Sequence, residues 1–272
     1  MIVTAATVER PVARSPLRSV ALPTEHGGWG LTLEPGILGL LIAPGPAGLC
    51  IALGAVVAFL ARTPLKIVLV DRRRGRTLER TRLAQKVALG ELAVLAVLAA
   101  SAFALAEPWF WVPGAVALPL FAIEGSFEVR SRGRRLIPEL AGAIGVCSVA
   151  AMVVLADGQP RSLAAGVWLV LAARVATAIP HVRAQIALLR NRPPPLRAAV
   201  AGDVVAIGLA VAAVGLDQRL WAGAVAVASV VAIQRAAATR PVPRPTIIGL
   251  RQTALGLGVV VVTALGVGLP AT

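Results

Sequence analysis

Residues 62–86 read RTPLKIVLVDRRRGRTLERTRLAQK and contain nine Lys or Arg residues but only two acids, Asp71 and Glu79. Long apolar runs flank this segment on both sides. A basic loop between two apolar runs is the pattern that membrane topology places on the cytoplasmic side. Arg62 and Lys66 already lie inside the preceding apolar run, where a charge is costly unless a polar cavity receives it. The segment is therefore either a loop that only fixes topology or one wall of an anion-binding cavity.

The composition is that of an integral membrane protein. Apolar residues make up 57% of the 272 residues, and the mean hydropathy is +0.82, whereas soluble domains contain about 45–50% apolar residues. The net charge of +14 lies between apolar spans. The predicted partners are therefore membrane lipids, with anionic head groups or phosphate-bearing ligands, rather than nucleic acid.

The chain is predicted to have one membrane domain preceded by a tail. Residues 1–20 carry three arginines but no apolar signal region, so they are predicted to be a disordered cytoplasmic tail. Residues 21–272 are predicted to be a single transmembrane domain. Cys50 and Cys147 lie in apolar runs without the spacing of a metal motif, which indicates packed thiols.

The predicted fold class is all-α, a polytopic membrane bundle of about nine transmembrane helices. Each apolar run approaches the ~20 residues that cross the hydrocarbon core, and none shows the alternation of a barrel strand. The predicted spans are Gly27–Ala43, Pro46–Val70, Leu83–Leu105, Pro108–Glu124, Leu136–Ala156, Ser162–Pro180, Ala198–Leu216, Leu220–Ala236 and Thr246–Leu269.

Charge placement predicts the orientation of the bundle in the cell membrane. With the N-terminus in the cytoplasm, cytoplasmic segments hold 24 Lys or Arg residues and external turns hold two, Arg161 and Arg219. This split follows the positive-inside rule. Nine spans then place the C-terminus outside.

Charges within the spans gather in their cytoplasmic halves. Runs such as 162–173 contain no Asp, Glu, Lys or Arg and are shorter than the ~20 residues of a full span, so the charges that end them lie below the interface. Intramembrane charges usually face the bundle interior or a wet cavity. The asymmetry predicts a cavity open to the cytoplasm and sealed outside, which disfavours a channel or transporter. The residues placed there are Glu34, Arg62, Lys66, Glu91, Glu124, Arg174 and Asp203.

Two motifs have both a structural and a functional interpretation. The first, LPTEHGGWG at 22–30, opens the first span, which Pro35 should kink. Glu25, His26 and Glu34 either belong to a capped and kinked helix or line the cavity. The second, in the sixth span, combines Arg174 with His181 on one helical face. With Arg183 they form either the basic end of a helix broken by Pro180 or a phosphate site.

Acidic residues four apart predict local ion pairs. Arg135 and Glu139 can pair within one helix. Glu124 and Glu128 repel or share a proton unless a cation lies nearby, and a salt bridge to Arg130–Arg135 is the simpler arrangement. For the basic residues, the prediction is that Arg62, Lys66 and Arg174 converge on one pocket with Asp71 and His181 at its mouth.

Four segments carry a family resemblance: LPTEHGGWGLTLEP, RTPLKIVLVDRRRGRTLERTR, RRLIPELAGAI and IPHVRAQI. They resemble the YwiC-like family of bacterial membrane proteins, and the resemblance covers most of the chain.

A more distant similarity, in helix number and loop placement, is to UbiA-type prenyltransferases. It implies a nine-helix, UbiA-like architecture that binds an isoprenoid diphosphate. In that family Mg²⁺ is held by two acidic motifs. Here Asp71 alone stands at the first motif, as the candidate catalytic residue, and the second region, Ile179–Arg190, has no acid. No Mg²⁺ or other cofactor is therefore expected.

These features predict a basic cavity that binds an anionic or isoprenoid lipid. The alternatives are an active, metal-independent prenyl or lipid transferase, a transporter, and a structural partner of a membrane complex. The sequence does not identify a protein partner.

Overall fold

The protein is described by a computed structural model that covers residues 16–21, 28–130, 135–238 and 240–269. Every regular element in these ranges is helical. The helices are α1 (Pro16–Ala21), α2 (Gly28–Ile42), α3 (Pro46–Arg73), α4 (Glu79–Leu105), α5 (Val112–Val129), α6 (Leu136–Ala156), α7 (Arg161–Leu189), α8 (Leu196–Leu216), α9 (Trp221–Ala238) and α10 (Pro245–Gly268), with a 3-10 turn at Gln218–Leu220.

Helices α3 to α10 are each long and apolar enough to cross a membrane. Helix α2 is also apolar but has only 15 residues, which is about 22 Å of helix against a hydrocarbon core of about 30 Å. Each predicted span corresponds to one of α2–α10. The prediction of an all-helical membrane bundle is confirmed.

The bundle has two chemically different ends. The basic end carries the loops at residues 74–78 and 190–195. The turn end carries the turns at 43–45, 106–111 and 157–160. The turns at 106–111 and 157–160 are adjacent, since the Glu107 N–H donates to the carbonyl of Ala156, just before the second turn, at 3.0 Å.

Two sequence predictions about helix ends are corrected. Residues 16–21, at the end of the predicted disordered tail, form α1, and Val20 packs in a small apolar cluster with Val68 and Ala84. Residues 1–15 lie outside the described residues. Helix α7 does not break at Pro180 but continues to Leu189.

Helix α7 tolerates Pro180 because α8 packs closely against it there. A proline has no N–H, so the carbonyl of Ala176, four residues earlier, loses its helical donor. Gly202 of α8 lies against this carbonyl, where a side chain at position 202 would collide with it. The close approach lets a helix with an internal proline remain packed.

Helix α7 is the centre of the bundle. It contacts α6, α8, α9 and α10, and α2 packs between α6, α3 and α10. The main apolar core includes Leu38, Val154, Val167, Val227 and Val259, each nearly inaccessible. The outer hairpin of α3 and α4 joins this core through the packing of α3 on α2 and α6, which leaves a cleft beside α4.

Candidate functional site

A buried ion pair lies in the middle of the bundle. Glu34 of α2 and Arg174 of α7 face each other with 3.7 Å between Oε1 and Nη2, and their side chains are 4% and 2% exposed. Arg174 is about 20 Å along α7 from Arg161 at the turn end, well inside a hydrocarbon core of about 30 Å. Both residues therefore face the protein interior, as intramembrane charges usually do.

Glycine makes room for the carboxylate. Gly256 of α10 lies so close to Glu34 that a Cβ at position 256 would overlap the carboxylate oxygens. Gly30, one turn before Glu34, is also in close contact with Thr253 of α10. The Glu34 side chain is therefore held between α2, α10 and the Arg174 guanidinium.

Arg174 uses only part of its donor capacity. Its Nη2 donates to the carbonyl of Gln252 at 2.6 Å. Its Nε and Nη1 are buried and have no hydrogen-bond partner among the described residues. A guanidinium has five N–H groups, so this buried cation retains donors that an incoming oxygen-rich group can use.

A chain of polar contacts leads from Arg174 toward the basic end. The Gln252 side chain lies 3.4 Å from that of Gln234, which contacts Thr177 Oγ1 at 2.9 Å. Thr177 Oγ1 also lies 2.5 Å from Asp203 Oδ1. Arg235, whose side chain is 47% exposed, ends the chain by pairing with Asp203 Oδ2 at 2.5 Å.

Proton counting sets the direction of these bonds. The Thr177 hydroxyl has one proton but contacts two oxygens, Asp203 Oδ1 and Gln234 Oε1. Amide O and N atoms are assigned from the network that they form. The contacts are all satisfied when Thr177 donates to Asp203, the Gln234 NH₂ faces Thr177 and the Gln252 NH₂ faces the Gln234 oxygen. The carboxylate of Asp203 then accepts from both Thr177 and Arg235.

His181 lies beside this polar chain. It is half-buried on α7, one turn beyond Thr177. Its part in a site with Arg174 stays a prediction.

Arg62 and Lys66 form a second, separate cluster between α3 and α5. Arg62 Nη2 contacts Glu124 Oε1 at 2.6 Å and Glu128 Oε2 at 2.7 Å, and Lys66 Nζ contacts Glu128 Oε1 at 2.7 Å. The prediction that Arg130–Arg135 would neutralise the two glutamates missed these partners, because the sequence does not show that α3 and α5 are adjacent. Gly142 of α6 provides the space for Glu124.

Asp71 holds the loop between α3 and α4. It is 1% exposed, and its Oδ2 accepts from Thr81 Oγ1 at 2.7 Å and its Oδ1 from Arg80 Nη2 at 3.2 Å. Its carbonyl also accepts from the Arg76 N–H at 2.9 Å. Both carboxylate oxygens are used, so these contacts give the candidate catalytic Asp71 a loop-ordering role. No group of three or more His, Cys, Asp or Glu residues in the described ranges can hold a metal ion.

The remaining predicted site residues lie elsewhere. Arg183 pairs with Glu139 of α6 at 2.8 Å, whereas the sequence predicted a pair of Glu139 with Arg135. Arg135 is exposed at the start of α6. Glu25 and His26 lie outside the described residues.

The predicted pocket of Arg62, Lys66 and Arg174 is therefore wrong as a single site. Arg62 and Lys66 pair with α5, whereas Arg174 pairs with α2 and α10. The sequence reasoning also missed the uncharged members of the network, Thr177, Gln234 and Gln252. The signal that could have found the two glutamines is their position beside apolar runs, where amides need partners.

A buried ion pair and polar network inside long apolar helices define an integral membrane protein of the polytopic helix-bundle class. Residues 22–154 match the sequence model of the YwiC-like protein family, which confirms the predicted resemblance over that range. The match contains Glu34 and all four residues of the α3–α5 cluster, but ends in α6 before Arg174. No curated protein and no solved structure matches the chain.

Proposed function

We propose that this protein binds a phosphate-bearing lipid, either an anionic lipid or an isoprenoid diphosphate, through Arg174. The observation that supports the proposal is the buried guanidinium with two nitrogens, Nε and Nη1, that have no acceptor among the described residues. Leaving a buried donor unpaired costs about 1–3 kcal/mol per group, and more when the group is charged. Phosphate oxygens are strong acceptors for guanidinium donors.

The pairing with Glu34 leaves room for a ligand. At 3.7 Å, Glu34 Oε1 compensates the charge of Arg174 but is too distant for a good hydrogen bond. An arriving phosphate would meet one carboxylate and one guanidinium, so net attraction requires either the loss of that negative charge or a second cation. Protonation of Glu34 would remove the negative charge, and a protonated His181 would supply the second cation.

Head-group access from the basic end follows the polar chain. Gln252, Gln234, Thr177 and Asp203 connect Arg174 to the exposed Arg235. In the opposite direction α7 presents Val167, Val170 and Leu171, which are buried and apolar. This one-sided polarity supports a binding site rather than a transport pathway.

The alternative of a metal-independent transferase has less support. Asp71, the candidate catalytic residue, has both carboxylate oxygens occupied by Thr81 and Arg80. Arg62 and Lys66 are neutralised by two glutamates and contribute little to a basic cavity. The proposal therefore centres on Arg174.

The test is lipid-dependent thermal stabilisation of the purified, full-length protein in detergent. Geranylgeranyl diphosphate and phosphatidylglycerol serve as probes, and geranylgeraniol is the neutral reference. We expect stabilisation by at least one phosphate-bearing probe, but none by the alcohol. Arg174→Lys keeps the charge but changes the donor geometry, so it should weaken binding about tenfold.

The control is Arg192→Lys, in the exposed loop after α7, which should bind like the wild type. Glu34→Gln is a second variant, which retains Arg174 while removing the competing negative charge. It should melt at a lower temperature than the wild type without lipid, but its lipid-dependent stabilisation should be at least as large. Equal binding by Arg174→Lys and Arg192→Lys, or equal stabilisation by geranylgeraniol, would refute the proposal.

A further inference from the structure

We infer that the cleft between α3, α4 and α6 binds one acyl chain of a membrane phospholipid. The cleft has a volume of about 240 Å³, and apolar residues and Cys50 line it. Val149 and Met152 of α6 line it, but no residue of α7 does, so it does not include Arg174. The inference is therefore independent of the proposed function.

The cleft opens toward the surroundings of the bundle. Ala58 of α3 and Ala99 and Phe103 of α4 line it and are exposed. These positions belong to helices that are long and apolar enough to span a membrane, so their exposed faces meet lipid chains. A buried water needs two to four polar partners, and the apolar lining offers almost none. Hydrocarbon is therefore the medium that fills the cleft.

The shape of the cleft fits an extended chain. Its lining covers Cys50 to Ala58 on α3 and Leu95 to Phe103 on α4. Each stretch is about 12 Å long along its helix. Small side chains, such as Gly54 and Ala102, create the groove. A chain lying parallel to the helices would replace the contacts that larger side chains would otherwise make.

Aromatic residues close the cleft at the turn end of the bundle. Phe103 and Phe110 pack edge to face with 4.9 Å between ring centroids, and Trp111 stacks with Trp109 at 6.4 Å. The Arg161 guanidinium lies 5.8 Å from the Trp109 ring centroid. Tryptophans are enriched at the membrane interface, so a chain in the cleft places its head group beside Arg161.

Arg161 can bind the phosphate that all phospholipids share. The acids Glu107 and Asp157 are exposed in the same turns, so this end has no excess of positive charge. Recognition would therefore rest on the acyl chain and the phosphodiester, not on the net charge of the head group. An isoprenoid chain or a helix of another protein are the other possible occupants, and the experiment distinguishes them.

The experiment is native mass spectrometry of the full-length protein purified in mild detergent. Ala99→Phe fills the cleft, whereas Ala100→Phe makes the same change at the next exposed position of α4, which does not line it. We expect the wild type and Ala100→Phe to carry the same phospholipid-mass adducts. Ala99→Phe should carry one adduct fewer, with at least about nine-tenths of the cleft-bound population lost, a tenfold change that equals about 1.4 kcal/mol.

Ala58→Phe fills the cleft from α3 and should give the same loss, which covers the case in which Ala99→Phe does not fold. An unmodified wild type, a polyisoprenyl adduct that Ala99→Phe removes, or equal adducts on Ala99→Phe and Ala100→Phe would overturn the inference. Arg174→Lys should leave the adduct that Ala99→Phe removes unchanged, because the two sites do not share residues.

Discussion

Glu34 of α2 and Arg174 of α7 form an ion pair at 3.7 Å inside the bundle, with less than a twentieth of either side chain exposed. The pair connects the short first apolar helix to the most buried one. Because the bilayer offers neither water nor counter-ions at this depth, each charge depends on the other. Several properties of the protein should follow from this relationship.

Removing either partner should strongly destabilise the fold. We expect Glu34→Ala and Arg174→Ala each to lower the free energy of unfolding by about 3–5 kcal/mol, because each leaves a buried charge without compensation. The double variant Glu34→Ala/Arg174→Ala should lose less than the sum of the single losses. Unfolding in bicelles, followed by tryptophan fluorescence, measures these values. Additive losses would show that the two side chains do not interact.

Gly256 should be intolerant of a methyl group. Gly256→Ala would push its Cβ into the Glu34 carboxylate, and overpacking of this kind costs about 1–3 kcal/mol. Gly258 lies on the same helix with no neighbouring atom within 4 Å of an added Cβ. Gly258→Ala should be neutral or slightly stabilising, as alanine favours helix. Thermal unfolding of the two variants tests the contrast, which equal melting temperatures would contradict.

Arg62 should matter more than Lys66 in the α3–α5 cluster. Arg62 contacts both Glu124 and Glu128, whereas Lys66 contacts Glu128. Lys66→Ala should cost less than about 1 kcal/mol, as for other exposed pairs. Arg62→Ala should cost more, because it leaves two carboxylates facing each other on one helix. In unfolding measurements, adding Glu128→Gln to Arg62→Ala should recover part of the loss, and no recovery would count against this explanation.

Asp71 should protect the basic loop from proteolysis. Losing a buried hydrogen bond to a charged group costs about 1.5–3 kcal/mol, so Asp71→Ala and Thr81→Val should both speed tryptic cleavage after Arg74 or Arg76 about tenfold. Glu79→Ala, at an exposed acid of the same segment, is the control and should be cleaved like the wild type. Initial cleavage rates followed by mass spectrometry decide the matter. Rapid cleavage of Asp71→Ala together with wild-type cleavage of Thr81→Val would indicate that Asp71 orders the loop through a partner other than Thr81.

The orientation of the bundle remains a prediction from charge. Reporter fusions at Asp157 and Gln218 should report the outside, and a fusion at Asn191 should report the cytoplasm. Alkaline phosphatase and fluorescent-protein reporters provide complementary signals. Reversal at two of these positions would invert the assigned topology.

The sequence predicted the helices better than their contacts. Apolar run length alone located α2–α10, because a membrane leaves helix as the structure that satisfies the backbone within one segment. The end of α7 was missed, since the proline rule ignores the support that Gly202 gives beside Pro180. Local sequence patterns thus predict each helix but not the packing contacts that a neighbouring helix provides.

The candidate site was predictable only in part. The short charge-free run before Arg174 correctly placed it in the protein interior. Its partners could not be inferred, because Glu34 and Gln252 are remote in sequence. Many different arrangements of the helices are compatible with the same hydropathy pattern. Arg62 and Lys66 look like available cations in the sequence, and only the packing of α5 on α3 shows that glutamates already neutralise them.

The position of Glu34 has a consequence for how the chain is made. Translation proceeds at about 5–20 residues per second, so α2 leaves the ribosome well before α7 brings Arg174 or α10 brings Gln252 and Gly256. During that interval a helix too short to cross the bilayer comfortably holds an acid with neither its cation nor its final neighbours. We therefore expect α2 to reach its final packing only after α7 and α10 have been made, although it is the first of the apolar helices to be synthesised.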